Sequence, residues 1–498
     1  GQRLRCRQFH LLSVLGALHM SVKCKSVLKR AFCVLLCLAL AVGGLALLTD
    51  VTQRKDSVSK YSTFWADCSD LDILYLGTSH ILNAVFPMEL WAECGYTSYN
   101  LGGNSNTMAI SYWTLMNALD YTTPKLVVLD CFEASYDARY RSTFFAHHSL
   151  DAFPLSSTKA AAVCDIFSAP EDRHLRSDFL FKFSLYHTRW KELSASDFIS
   201  GSKTDKGAEP KIGISAPAQS TPTDKVLPSS PDNIGFLYLN KILDECENRG
   251  IDVLLTYLPF PAPEESWMEA NYVQTLAQER KVDYLNFLKL DVVNFATDCL
   301  DSTSHLNPSG AEKVTHYLGE YIREHYDIPD HRNDDSYAHW DEDYKKYLDA
   351  KAGQMFESDD LTIWLMLLSD SYFDCCFYIA PQSPLLADKT VRSLIFNLGK
   401  AQTGIDGSAL ESGSACLIVK ENGVLKICAV PKDEPLTAVT TRGTFSIEQR
   451  GSETSLCLDG EDIYDAADNV EAIVSYTAGD ITRTVGFAAS ESRYLVLE

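Results

Sequence analysis

Two short segments carry residues able to do covalent chemistry. The first, residues 71–87, reads "LDILYLGTSHILNAVFP": an aliphatic run ends in Gly-Thr-Ser-His before the pattern turns helical. Ser79 is therefore expected at the exit of a buried strand, at the carboxyl edge where open α/β sheets bind ligands. The second, residues 298–314, reads "DCLDSTSHLNPSGAEKV" and sets His305 at the start of a helix, with Asp298 and Asp301 upstream. A serine hydroxyl is a weak nucleophile. It needs a base within hydrogen-bond reach, and the base needs a third group to fix its tautomer. Serine, histidine and acid are all supplied in kind. Each also has a plain structural reading, because Ser is a preferred helix N-cap and a His ahead of a helix is often only structural.

The pattern between these segments supplies a scaffold to position them. "DILYLG" (72–77), "TSYNLG" (97–102), "KLVVLD" (125–130), "IDVLLTYLP" (251–259) and "VDYLNF" read as buried strands. Helical patterns lie at 106–119, at 233–250 with Asp232 as N-cap and Gly250 as stop, in "EESWMEANYVQTLAQER", and at 308–326 with Asn307 as cap and Pro308 at the first helical position. Strands alternating with helices predict an α/β fold, a parallel sheet sandwiched by helices. Residues 201–233, rich in Pro, Ser, Thr and Gly, read as a long surface loop. A chain of 498 residues exceeds one ordinary domain. From about 335 the character shifts: a polar helical stretch, then "LTIWLMLLSDSYFDCCFYIA" as a helix or strand pair. From about 415, short alternating runs follow, with "ENG" as a hairpin signal. This predicts a smaller C-terminal domain over 335–498, β-rich from 415, with no catalytic spacing of its own.

The N-terminus is of another kind. No Asp or Glu precedes Asp50, while Arg3, Arg5, Arg7, Lys23, Lys25, Lys29 and Arg30 precede the apolar run at 31–48. At ~1.5 Å per residue that run just spans a bilayer core. The positive-inside rule then places residues 1–30 in the cytoplasm and everything after Asp50 outside, giving a single-pass cell-membrane protein. The run is longer than a usual signal-peptide core, so an uncleaved anchor is preferred to a cleaved signal. Met20, followed by a Lys-rich stretch, looks like a natural start, which makes residues 1–19 an upstream extension. The net charge of −23 argues against nucleic acid as a partner. Of 15 cysteines, Cys6, Cys24, Cys33 and Cys37 lie in or before the apolar run, leaving an odd number outside with no CxxC among them. That indicates neither a disulfide framework nor a zinc site. The adjacent Cys375 and Cys376 read as small buried apolar residues. No metal and no cofactor is called for.

Taken together, "LGTSH", "NLGG", "LVVLD" and "DSTSHLNPSGA" resemble the blocks of the SGNH/GDSL hydrolase superfamily across residues 70–326. More narrowly, they resemble its membrane-anchored branch, which includes the lipoteichoic acid D-alanylation protein and the alginate O-acetylation accessory proteins. The resemblance implies Ser79 as nucleophile, His305 as general base, and Gly102 or Gly103 as a source of an oxyanion-hole amide. It departs from the family at two points. The family's acid stands three residues before the histidine, where this chain has Ser302; Asp301 stands four before, with Asp298 as fallback. The Asn that usually completes the oxyanion hole is missing after "LVVLD", where Cys131, Phe132 and Glu133 follow. Asn104 and Asn106 are its possible replacements.

Other residues fit less well. His80 reads as a loop residue. His147 and His148, on an extended segment, would point opposite ways and make no metal site. "SLYHTRW" (184–190) offers His187 and Arg189 for a sugar or an anion, or else forms a solvated helix with an aromatic anchor. The expectation is an outward-facing serine acyltransferase or esterase acting on a cell-surface polysaccharide or teichoic-acid-like polymer, with a membrane-bound O-acyltransferase as donor-side partner. The alternative is a non-catalytic anchored protein that binds glycan or such a partner.

Overall fold

Ile73–Leu76 (β1) is a run of four aliphatic and aromatic residues, all buried. Ser98–Asn100 (β2), Leu126–Asp130 (β3), Asp252–Tyr257 (β4) and Asp283–Asn286 (β5) complete a five-stranded sheet in the order β2-β1-β3-β4-β5. Every neighbouring pair is parallel. In this computed structural model the described residues are 22–53, 63–198, 204–215, 221–228, 230, 232–301, 305–399, 401–402, 414–429, 435–450, 453–464, 470–490 and 493–496.

Strand residues alternate between two faces, and the two faces build separate cores. Leu74, Leu76, Val127, Leu129 and Leu255 meet the helices Met108–Leu119, Ile234–Arg249 and Glu264–Arg280 through Leu115, Leu239, Ile242 and Val273. Ile73, Tyr75, Val128 and Leu254 meet the helix Pro308–His325 through Val314, Leu318 and Ile322. Helix ends follow local chemistry. Asn307 caps the last of these helices by accepting from the Gly310 N–H, and Gly250 closes Ile234–Arg249 in the left-handed region at φ 68°. The N-cap of Ile234–Arg249 is Asn233, not Asp232, and accepts from the Phe236 N–H.

The C-terminal region is β-rich and mostly antiparallel, with a seven-stranded and a four-stranded sheet. Its β structure begins at Phe373–Ile379, earlier than the alternating runs suggested, because Phe373–Ile379 is the central strand of the larger sheet. On it Cys375 and Cys376 point into two different apolar cores. The polar helix Ala338–Gln354 packs Trp340 and Tyr347 into the parallel-sheet core beside Trp91. Among the described residues every cysteine from Cys33 onward is a free thiol.

The chain forms two compact units: Gly1–Arg54 with Phe181–Ile199, and Lys55–Leu180 with Ser200–Glu498. In the first, residues 22–52 are one helix. Its 24-residue portion Lys29–Thr52 is apolar and long enough to cross a membrane, ~36 Å at 1.5 Å per residue.

The predicted surface loop is only partly one. Residues 201–203 and 216–220 lie outside the described residues, but 204–215 form a strap laid into the second unit. Lys206 is fully buried. Its carbonyl accepts the Asn100 N–H (2.8 Å), and its ammonium binds Asp67 and Asp343, each at 2.6 Å, above the Trp340 ring. Further on, Glu209 N–H reaches Leu82 O, Asn307 Nδ2 reaches Gly213 O, and Ser215 N–H reaches Cys299 O. Paired ammonium and carboxylate groups allow this segment to bury a charge that would otherwise hold it at the surface.

Candidate active site

The chain leaves β1 at Gly77, whose φ of 141° is open only to glycine. A Cβ there would stand 3.0 Å from Asp130 Cβ and 3.1 Å from its carbonyl oxygen, so the ends of β1 and β3 come this close only without a side chain. Thr78 then caps the helix Ser79–Ala84, its hydroxyl accepting from the His80 N–H. The cap is thus Thr78, and Ser79, as first helical residue, has its hydroxyl left for another partner. That partner is His305: Oγ lies 2.8 Å from Nε2. On the other side of the ring Nδ1 lies 2.6 Å from Asp301 Oδ2. With Asp301 accepting the Nδ1 proton, Nε2 is the acceptor for the Ser79 hydroxyl. A short antiparallel bridge holds the histidine loop, in which Cys299 pairs with Leu306, Leu300 N–H reaches His305 O and Asn307 N–H reaches Asp298 O. The bridge brings Asp301 back to His305 despite the four-residue spacing; residues 302–304 lie outside the described residues.

Asp298 is spent elsewhere. It is fully buried and accepts from Asn294 N–H (2.7 Å), Lys313 Nζ (2.7 Å), Thr297 Oγ1 (3.0 Å), Ser309 Oγ (3.1 Å) and Asn397 Nδ2 (3.2 Å). It fastens the histidine loop to the following helix and to the C-terminal region.

The expected oxyanion amides are also occupied. Gly102 N–H donates to Asn100 Oδ1 (3.0 Å) and Gly103 N–H to Gly77 O (3.1 Å). These glycines serve close approach instead: a Cβ on Gly102 would stand 3.1 Å from Thr78 O and 2.6 Å from Ile81 Cγ2. Asn100, which the sequence reading passed over, is the brace, its Nδ2 donating to Ile81 O and Val85 O of the serine segment. Asn106 is buried and accepts from Ser149 Oγ (2.6 Å). Asn104 sits half-exposed on the turn between them. The first N–H groups of a helix have no intrahelical partner, and the foremost here is the amide of Ser79 itself.

His80 is no loop residue. It is buried in the helix, stacked on Phe132 (centroids 3.7 Å apart), edge-on to Phe260, and 5.9 Å from the His305 ring. Burial, and next the neighbouring His305, lowers its pKa to about 3, so it stays neutral. Asp130 closes β3, and its Oδ2 has no hydrogen-bond partner among the described residues. Burial lifts it from 3.8 to about 7, against the pull of N–H bonds from Leu258 and Phe132. A buried strand that ends in Asp, and a His directly after the Ser, were the signals for these two.

The two shifts oppose each other in their effect on stability. Asp130, with a folded pKa above its unfolded one, contributes stability that is full below pH 3.8 and is lost as pH rises through about 7. His80, with a folded pKa below 6.5, contributes stability above that value and loses it as pH falls toward about 3. Asp130→Asn is therefore expected to be progressively less harmful as pH rises from 5 to 8. Denaturant midpoints of the two proteins at each pH provide the check, and a constant gap would mean that the carboxyl is ionised throughout.

His187 and Arg189 lie in the unit that holds the apolar helix. Arg189 donates to Thr52 O and Gln53 O, both at 2.7 Å, and to Asp197 at 2.9 Å, so its guanidinium is committed to a helix end. His187 is exposed and bonds Ser184 O through Nδ1. His147 and His148 lie on the helix Thr143–Leu150, not on an extended segment. His147 pairs with Asp151 one turn on and stacks on Phe179.

No protein-family profile matches the chain, and no curated protein does. Among solved structures, a candidate acylhydrolase from Bacteroides fragilis aligns at 11% identity with a TM-score of 0.29, covering 55% of this chain and 98% of that one. A likeness at that level carries no weight for function.

Proposed function

We propose that the chain is a membrane-anchored SGNH-type serine acyltransferase or esterase, acting outside the cell on a surface polysaccharide or teichoic-acid-like polymer. The observation that carries this reading is the continuous hydrogen-bonded line Ser79–His305–Asp301, at 2.8 and 2.6 Å, at the carboxyl edge of a parallel sheet. The basic residues ahead of the apolar helix support the outward orientation.

In the first half-reaction Ser79 Oγ attacks an acyl carbonyl and its proton passes to His305 Nε2, while Asp301 stabilises the imidazolium. The developing oxyanion is received by the Ser79 N–H, with Asn104 as second donor in place of the absent family Asn. Collapse breaks the bond to the leaving oxygen, which takes the proton back from Nε2. In the second half-reaction a polymer hydroxyl attacks the Ser79 ester and His305 takes its proton; water in that role makes the same site an esterase. A membrane-bound O-acyltransferase is the partner suited to deliver the acyl group.

The rival reading, an anchored binding protein without catalysis, is favoured by the occupied Gly102 and Gly103 amides. A fluorophosphonate probe separates the two. The expected outcome is one adduct per chain, mapped to Ser79 by mass spectrometry and absent from Ser79→Ala. A folded chain that takes no label at Ser79 would leave the binding reading standing.

A further inference from the structure

The unit holding the apolar helix contains a second element whose surface does not suit water. Within Phe181–Phe198, four large apolar side chains are exposed: Phe181 (67%), Leu185 (39%), Trp190 (64%) and Phe198 (65%). The much larger second unit exposes only nine among all its described residues. Scattered exposed apolar residues are ordinary, but four in one short segment mark a contact surface. The segment is built to stand at one particular level. Arg189 caps the carbonyls of Thr52 and Gln53, and Lys182 Nζ binds Gln53 Oε1 (2.8 Å). A cation there complements the negative end of the helix dipole and satisfies oxygens that a helix end leaves unpaired. Asp197 in turn holds Arg189. The segment is thus fastened about one turn beyond Leu48, the last residue of the apolar run, at the end opposite Lys29 and Arg30. One turn is about 5 Å, which is also roughly the depth of the headgroup layer on each side of a bilayer core. Lys191 Nζ lies 5.6 Å from the Trp190 ring centre, pairing an aromatic body with a cationic tip, as residues at a lipid–water boundary do.

We propose that Phe181–Phe198 is an interfacial foot that lies in the outer headgroup layer of the same bilayer the helix crosses, with Phe181, Leu185, Trp190 and Phe198 inserted among the lipids. The proposal rests on reading Lys29–Thr52 as a membrane span. It assigns "SLYHTRW" to lipid rather than to a sugar or an anionic substrate.

The test uses the full chain reconstituted into phosphatidylcholine vesicles, with and without lipids brominated near the headgroup or near the acyl terminus. Flotation comes first: a chain that does not float with vesicles defeats the membrane-span reading itself. In floated samples, the tryptophan emission of the wild type minus that of Trp190→Phe isolates Trp190 from the other indoles. The expected result is loss of that difference signal with shallow bromines, weaker loss with deep ones, and none in bromine-free lipid. Circular dichroism of Trp190→Phe verifies that the fold is retained. A Trp190 signal in floated vesicles that bromolipids leave intact and aqueous iodide removes overturns the proposal, and leaves the aromatic face to a protein partner.

Discussion

Asp301→Asn is expected to lower turnover by about 10⁴ while leaving the unfolding midpoint unchanged, because an amide in place of the carboxylate favours the wrong imidazole tautomer without disturbing geometry. Asp301 is half-exposed on its loop and touches His305 through both oxygens, Oδ2 to Nδ1 and, more weakly, Oδ1 to the backbone N–H. Asp298→Asn is expected to do the reverse. Its carboxylate accepts five hydrogen bonds, one from the Lys313 ammonium, and neutralising it leaves that cation without its buried counter-charge. Stability should fall by roughly 1.5–3 kcal/mol, the range for hydrogen bonds to a charged group, with turnover per folded molecule largely kept. Steady-state assays on an acylated polymer or a simple acetyl ester, paired with denaturant melts, separate the two. Equal kinetic damage from both variants, or kinetic damage from Asp298→Asn alone, would put the acid in the wrong place.

The second large effect is on folding. Lys206→Met removes the ammonium shared by Asp67 and Asp343 and should cost about 3–5 kcal/mol, since two carboxylates then face each other across a site that has lost its buried cation, with only the exposed Lys346 still paired to Asp343. Burial alone would push the Asp343 carboxyl up; Lys206, and after it Lys346, hold it below its ordinary value. Adding Asp67→Asn and Asp343→Asn to Lys206→Met should recover much of the loss, because the penalty lies in the unpaired charges and not in the missing side chain. Thermal melts of the single and triple variants decide it. A single variant that melts with the wild type would mean that the trio contributes nothing to holding the strap.

What the sequence made legible is what near neighbours determine. The strands ending at Leu76 and Asp130, the Asn307–Pro308 helix start and the Gly250 stop each depend on residues within a turn or two. The choice of Asn233 over Asp232 as cap is a one-residue ambiguity between adjacent polar side chains. The burial of Lys206 was not legible, because its partners stand 139 and 137 residues away and a lone Lys in a Pro/Ser-rich stretch looks solvated. Arg189 misled for the same reason, since the carbonyls it caps belong to a helix over a hundred residues earlier. Spacing put Asp301 ahead of Asp298 as the acid, but spacing alone could not say where either carboxylate points. Only the backbone bridge between Cys299 and Leu306 turns one inward to Lys313 and the other toward His305.

The strap also sets an order of events in time. It touches Asp67, Asn100, Leu82, Cys299 and Asn307, so it docks only after segments far apart in the chain have come together. Closing such loops costs entropy before any contact repays it, and contacts between distant residues form slowly. Ser79 and His305 are themselves 226 residues apart, and of the two the histidine is made second. During synthesis the serine therefore emerges long before its base, and it has no activated hydroxyl while the sheet is still being completed. The hydrogen-bonded line Ser79–His305–Asp301 thus has no existence in the growing chain until the loop ahead of the Pro308–His325 helix has been made.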